Sequence, residues 1–271
     1  MSATTLHGPP LVSAATWRRI VSARMPGVLS LLGFIALWQL LIIVTDPNPI
    51  LFPGPLEVAR EFVVVAENGL LWENVSGSMY AMAIGMSIAI VIGVPVGLGI
   101  GMSPTADLLT SPYLWGFFAM PRIALAPLMI LWFGFGTTTK VWLILLSAVI
   151  PLILSCKDGV QTVDDSLVRA ARSFGASRLS LFTKVIAPNT LPFVASGIRN
   201  GISRGFVGLL VIEMTVGSGG IGTQVIRSMR DFNTARMFVF VFTLVIIALS
   251  LISLSRRVEL YASRWREEVA L

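Results

Sequence analysis

Six apolar runs, each close to twenty residues long and separated by short polar links, limit what this chain can fold into. A helix needs roughly 20 mainly apolar residues to cross the hydrocarbon of a bilayer. The runs fall at 26–44, 75–102, 111–133 and 138–155, then from Pro192 to the turn at Gly217, and from Met237 to Leu254. They predict an all-α membrane protein with six transmembrane helices. Charge content agrees: 13% of the 271 residues are charged, against about 25% in an ordinary soluble domain. So little charge cannot cover a globular surface in water.

The same counts remove most enzyme chemistry. Cys156 is the sole cysteine and His7 the sole histidine, so no intramolecular disulfide or cysteine-rich metal cluster can be assembled from one chain, and a Ser-His-Asp arrangement is disfavoured because His7 lies in a polar leader. The net charge of +6 needs no nucleic acid to explain it, because Lys and Arg accumulate on cytoplasmic loops of membrane proteins. With six spans both termini share a side. Placing them inside puts Arg18, Arg19, Arg24, Lys157, Arg169, Arg172, Arg178, Lys184, Arg256, Arg257, Arg264 and Arg266 inside. Arg60, Lys140, Arg227, Arg230 and Arg236 are then outside. The majority predicts cytoplasmic termini, with the cluster Arg227, Arg230 and Arg236 discordant.

The expected organisation is a cytoplasmic segment 1–25, a first span 26–44 retained rather than cleaved, and an acidic, proline-rich external loop 45–74. A core of five spans follows at 75–256, interrupted by a long basic loop at 156–191, and a cytoplasmic tail closes the chain at 257–271. Along the second span small residues recur every four positions, at Gly77, Ala81, Gly85, Ala89, Gly93, Gly97 and Gly101. Such a helix has one nearly flat side, which in lipid favours close packing against another helix. We take Gly85, Gly93, Gly97 and Gly101 as packing positions and expect an exposed small-residue side to meet a second copy of the chain.

The loop between the fourth and fifth spans has its own punctuation. Asp165 or Ser166 is a candidate cap for a first short helix, Gly175 suits its left-handed terminus, Ser177 is a candidate cap for a second, and Pro188 is expected to limit that one. On the second helix Leu179, Phe182, Val185 and Ile186 form an apolar stripe, with Arg178 and Lys184 off it. Periodicity alone fits a lipid surface and a protein partner equally well.

The letters decide between them. Ala170-Ala171, then Gly175, then Val185 and Pro188 resemble the Glu-Ala-Ala loop of permease subunits in binding-protein-dependent ABC importers. Arg169 stands where that pattern has Glu, and Ala187 where it has Leu. Phe52-Pro53-Gly54-Pro55, Met120-Pro121-Arg122-Ile123-Ala124-Leu125-Ala126-Pro127-Leu128, Gly197-Ile198-Arg199, Glu213-Met214 and Gly220-Ile221-Gly222 are similar to the nitrate, sulfonate, taurine and bicarbonate branch. The resemblance implies a type I importer permease fold in the bacterial inner membrane. It also implies a pathway built from two copies, two cytoplasmic ATPase subunits and an extracytoplasmic solute-binding protein. The coupling loop would comprise Arg169, Ala170, Ala171, Arg172, Phe174, Gly175, Ala176, Arg178 and Pro188. No Gly-x4-Gly-Lys-Ser/Thr phosphate loop occurs, so no cofactor is expected in this chain, and ATP with Mg belongs to the partner ATPase.

Arg122, Arg204 and Glu213 fall inside predicted spans, where an ionisable group faces a bundle interior or water rather than lipid. They are candidates for the solute path, with structural pairing, including Arg122 with Glu213, as the competing role. A self-contained secondary transporter or channel is the alternative function, disfavoured because no internal repeat is visible. The resemblance suggests a small, often anionic solute without naming it.

Overall fold

The computed structural model describes residues 14–262. His7, Arg264, Arg266 and the outer parts of the segments 1–25 and 257–271 lie outside the described residues, as do the side chains of Arg18, Arg19 and Arg24. The described residues are helical almost throughout. In order they are α1 (Ala14–Thr45), α2 (Pro55–Glu67), α3 (Leu70–Gly101), α4 (Pro104–Ala119), a 3₁₀ turn (Arg122–Leu125), α5 (Ala126–Phe133) and α6 (Thr137–Gln161). After α6 come α7 (Asp165–Ser173), α8 (Arg178–Leu181), a π turn (Phe182–Ile186), α9 (Ala187–Val216), α10 (Ile221–Arg230) and α11 (Thr234–Ala262).

Five helices are long and apolar enough to cross a membrane, and α4 with α5 makes a sixth if that bent pair is counted as one span. Their axes meet at 83°, so the single straight helix expected over 111–133 is corrected to two. The cause is local. Pro121 disfavours helical backbone at the residue before it, and Met120 is extended at φ −64°, ψ 132°. The 45–74 segment is likewise not all loop: α2 begins with Pro55 in its first turn, and the Glu57 carboxylate accepts the Gly54 N–H at 3.1 Å.

α6 is the central post, with α3 on one side and α9 on another. Glycines bring the helices together. A Cβ added to Gly85 would sit 2.7 Å from Ile144, one at Gly97 2.6 Å from the Ile153 carbonyl oxygen, and one at Gly101 2.7 Å from Val160. Gly93 abuts Leu152. From Gly85 to Gly101 the small-residue side of the second span is therefore covered by α6 of the same chain and is not left open for a second copy, while Gly77 stays exposed. Gly197, Gly201, Gly205 and Gly208 repeat the device where α9 meets α6.

A buried polar cluster ties the ends of α3, α6, α9 and α10. Glu213 is fully buried. One carboxylate oxygen accepts from Ser78 Oγ at 2.7 Å and Lys140 Nζ at 3.1 Å, and the other accepts the Gly222 N–H at 2.9 Å. Lys140 also donates to the Gly219 carbonyl at 2.7 Å, while Asn74 accepts the Gly220 N–H at 2.9 Å. The Arg122–Glu213 pairing weighed from the sequence is thus replaced by Lys140–Glu213, and Glu213 is sealed away from any path. A buried charge survives only when paired and hydrogen-bonded, and here the pair holds the Gly217–Gly222 turn against the bundle.

The discordant arginines have local settings that favour their charge. Arg236 Nε reaches Glu61 Oε1 at 2.7 Å, and Arg227 and Arg230 occupy the last turn of α10, where cations favour the helix dipole.

Candidate functional site

The 164–188 segment forms a projecting elbow whose every turn is capped. Asp164, one residue before the expected cap, has extended backbone and accepts the Ser166 N–H at 2.7 Å. That bond, made by the charged form, holds the Asp164 carboxyl below its usual range. At the other end of α7 the Ala176 N–H bonds to the Ala171 carbonyl at 3.0 Å and the Gly175 N–H to the Arg172 carbonyl at 2.9 Å. Those two bonds constitute a Schellman motif, which requires a left-handed residue between helix and exit. Gly175 supplies it at φ +78°. Ser177 Oγ then accepts the Ser180 N–H at 3.2 Å and starts α8.

The second short helix does not end at Pro188. It runs through the π turn directly into α9, with Pro188 in the first turn of α9, where a residue without an N–H is tolerated. The elbow is accordingly one piece with a membrane helix. At its tip Phe174 is 92% exposed and Leu179 73%. Arg169, Ala170, Arg172, Gly175, Arg178 and Pro188 are exposed as well, and Ala171 and Ala176 are half-buried. Two large apolar side chains thus stand exposed beside three arginines.

The candidate path residues separate into two groups. Glu213 belongs to the sealed cluster with Lys140. Arg122 and Arg204 come together around one ring: their guanidinium carbons lie 5.8 and 4.8 Å from the Phe118 centroid, within cation–π range. They line a cavity of about 370 Å³ with Met120, Ser147, Ser203 and Val207. Arg122 is anchored, donating from Nη2 to the Phe117 and Phe118 carbonyls and from Nη1 to the Ser147 carbonyl. It caps the carbonyl end of α4 that the Met120–Pro121 break exposes. From the sequence Lys140 reads only as an outer cation, because its partner lies 73 residues away; the signal for more was a lone lysine among apolar residues at the start of a span.

The comparisons with known proteins agree with this architecture. Residues 89–267 match the family model described as binding-protein-dependent transport system inner membrane component. The Escherichia coli (strain K12) protein named as an aliphatic sulfonates transport permease, SsuC, is 36% identical over 70% of this chain and 72% of its own length. The riboflavin transport system permease protein RibX of Chloroflexus aurantiacus is 33% identical over 87% of this chain and 88% of its own. A solved structure of the MetNI methionine ABC transporter in inward facing conformations superposes with a TM-score of 0.61 at 20% identity, covering 71% of this chain and 97% of that one.

Proposed function

As the chain belongs to the inner membrane components of binding-protein-dependent transport systems, the permease subunits of ABC importers, we propose that two copies of it enclose the path of a small anionic solute. We further infer that the elbow at 164–188 carries the stroke of a separate ATPase into the membrane. The observation that supports this most directly is the exposed Phe174 on a rigid, doubly capped turn that continues into α9. A lever must be stiff and must join the moving part without a flexible link, and the run α8, π turn, α9 has no loop in it.

Further parts of the reading follow from the family. ATP and Mg are handled by the ATPase partners, an external binding protein delivers the solute, and the termini lie in the cytoplasm, the side of the basic elbow. The solute class is supported by the likeness to the sulfonate permease and by the arginines facing the α4–α5 break. Arg169, in place of a carboxylate, adds a fourth exposed cation to the elbow beside Arg172, Arg178 and Lys184 and favours an acidic rim on the ATPase.

The test is co-purification of the ATPase and ATP-driven uptake in vesicles. A Cβ at Gly175 meets nothing within 4 Å, so Gly175→Val acts only through its backbone, at about 1–2 kcal/mol for a left-handed β-branched residue. It is expected to loosen the ATPase or to separate hydrolysis from uptake, with Phe174→Ala weakening the contact and both variants still inserting. Normal ATPase retention and normal uptake in both would refute the coupling role.

A further inference from the structure

Arg204 is the group on which the structure leaves most unsaid. It sits mid-way along α9, roughly 25 Å of helix from Ala187 and 18 Å from Val216 at 1.5 Å per residue. Neither end is within reach of its side chain for snorkelling. Yet Arg204 and its neighbour Ser203 are exposed on the surface of the subunit, and among the described residues Arg204 makes no hydrogen bond or ion pair. A guanidinium so placed is not tolerated against lipid tails. This surface of α9 therefore faces water or protein, while the opposite one, with Gly201, Gly205 and Gly208, is pressed on α6.

A second observation marks the same spot. The Nε of Arg122 is buried without a hydrogen-bond partner, although its two terminal nitrogens are engaged. Among the described residues no carboxylate lines the shared cavity, so two cations flank one aromatic ring there without an acidic partner. Like charges brought this close repel unless water screens them or an anion joins them. The cavity, about 370 Å³, falls within the roughly 300–1,000 Å³ of small-molecule sites.

We propose that this cavity is an anion-binding station within the membrane, where Arg204 presents its free N–H donors to a sulfonate-like oxyanion. Arg122 backs it with charge, and Ser203 adds a hydroxyl. The proposal rests on the permease reading above and deepens it, because it makes the membrane subunit itself select for negative charge after the solute leaves its binding protein. Depth excludes lipid headgroups as the source of the anion.

The experiment uses the permease–ATPase complex carrying Ser203→Cys. The native Cys156 is fully buried, and the unsubstituted complex measures its residual labelling. Methanethiosulfonate reagents bearing either a sulfonate or a trimethylammonium group are compared. The arginines raise the thiolate fraction for both reagents alike, so the ratio of the two rates reports local potential alone. The sulfonate reagent is expected to gain roughly tenfold over the cationic one relative to a free thiol, from a unit charge at side-chain distance in a partly aqueous site. Arg204→Gln should remove most of that gain and Arg204→Lys should keep much of it. Added ethanesulfonate should slow both reagents, and ethylammonium neither. Failure of both reagents to label, an unchanged ratio in Arg204→Gln, or no protection by ethanesulfonate would each overturn the station. A complex that retains its ATPase and its uptake while showing a flat ratio would sink the station and leave the permease reading standing. Loss of the ATPase from Gly175→Val with an intact ratio speaks for both.

Discussion

Replacing Gly97 tests whether helix contact within one subunit is set by backbone proximity. A Cβ there would stand 2.6 Å from the Ile153 carbonyl oxygen, 2.7 Å from Cys156 Cβ and 3.0 Å from Ile153 Cα. Two of those three atoms are backbone, so no rotamer change relieves the overlap, and α3 must move from α6 by several tenths of an ångström. Overpacking of this kind costs about 1–3 kcal/mol. Gly99, two residues on, is the internal control, since its Cβ would meet nothing within 4 Å. Both substitutions gain the same helix propensity, about 1 kcal/mol for Gly→Ala, and the difference between them cancels that gain. Gly97→Ala should thus be less stable than Gly99→Ala by about 1–3 kcal/mol, or roughly 5- to 150-fold in the unfolding equilibrium at tenfold per 1.4 kcal/mol. The assay is denaturation of the purified permease by a graded fraction of sodium dodecyl sulfate, followed by circular dichroism and fluorescence of its 7 tryptophans. Equal midpoints for the two variants would refute the argument. Loss of dimer at unchanged subunit stability would instead place a second copy at this helix.

Two other outcomes are expected. Lys140→Met or Glu213→Gln alone should cost about 3–5 kcal/mol in the same titration, because each strands a buried polar partner, and the double variant should recover part of the loss; additive losses would mean that the pair is not coupled. At the elbow, the depressed carboxyl of Asp164 contributes to α7 above its unfolded pKa, and the contribution fades as pH falls through the lower folded value. Hydrogen exchange at the Ser166 amide should therefore be protected at neutral pH, accelerate in acid beyond the intrinsic rate, and be fast at all pH values in Asp164→Ala, whereas uniform exchange across pH in the native chain would contradict the cap.

The readable parts of this protein were those whose cause is local. Gly175 and Ser177 announce their turn because a left-handed exit and a side-chain cap are properties of single residues. The bend at Met120–Pro121 was signalled by that dipeptide but hidden by hydropathy, since the apolar run continues unbroken through Phe133. Pro188 misled in the opposite direction: a proline opening a helix and one closing it look alike until the preceding turn is known. Contacts across the bundle were out of reach. Nothing near Glu213 in sequence points to Lys140 or Ser78, and no periodicity says whether a glycine ridge meets its own chain or another.

The π turn at Phe182–Ile186 sets the phase of the helix it feeds. Each residue of an α-helix advances the side chains by about 100°, so the surplus residue of a π turn dials every position after it by that angle relative to the elbow. Deleting one residue there would turn α9 by more than a quarter of a revolution under a fixed elbow. Its glycines would swing off α6, and Arg204 would swing from its cavity toward hydrocarbon. Chain length in these five residues accordingly fixes where α9 points as firmly as any side chain packed along it.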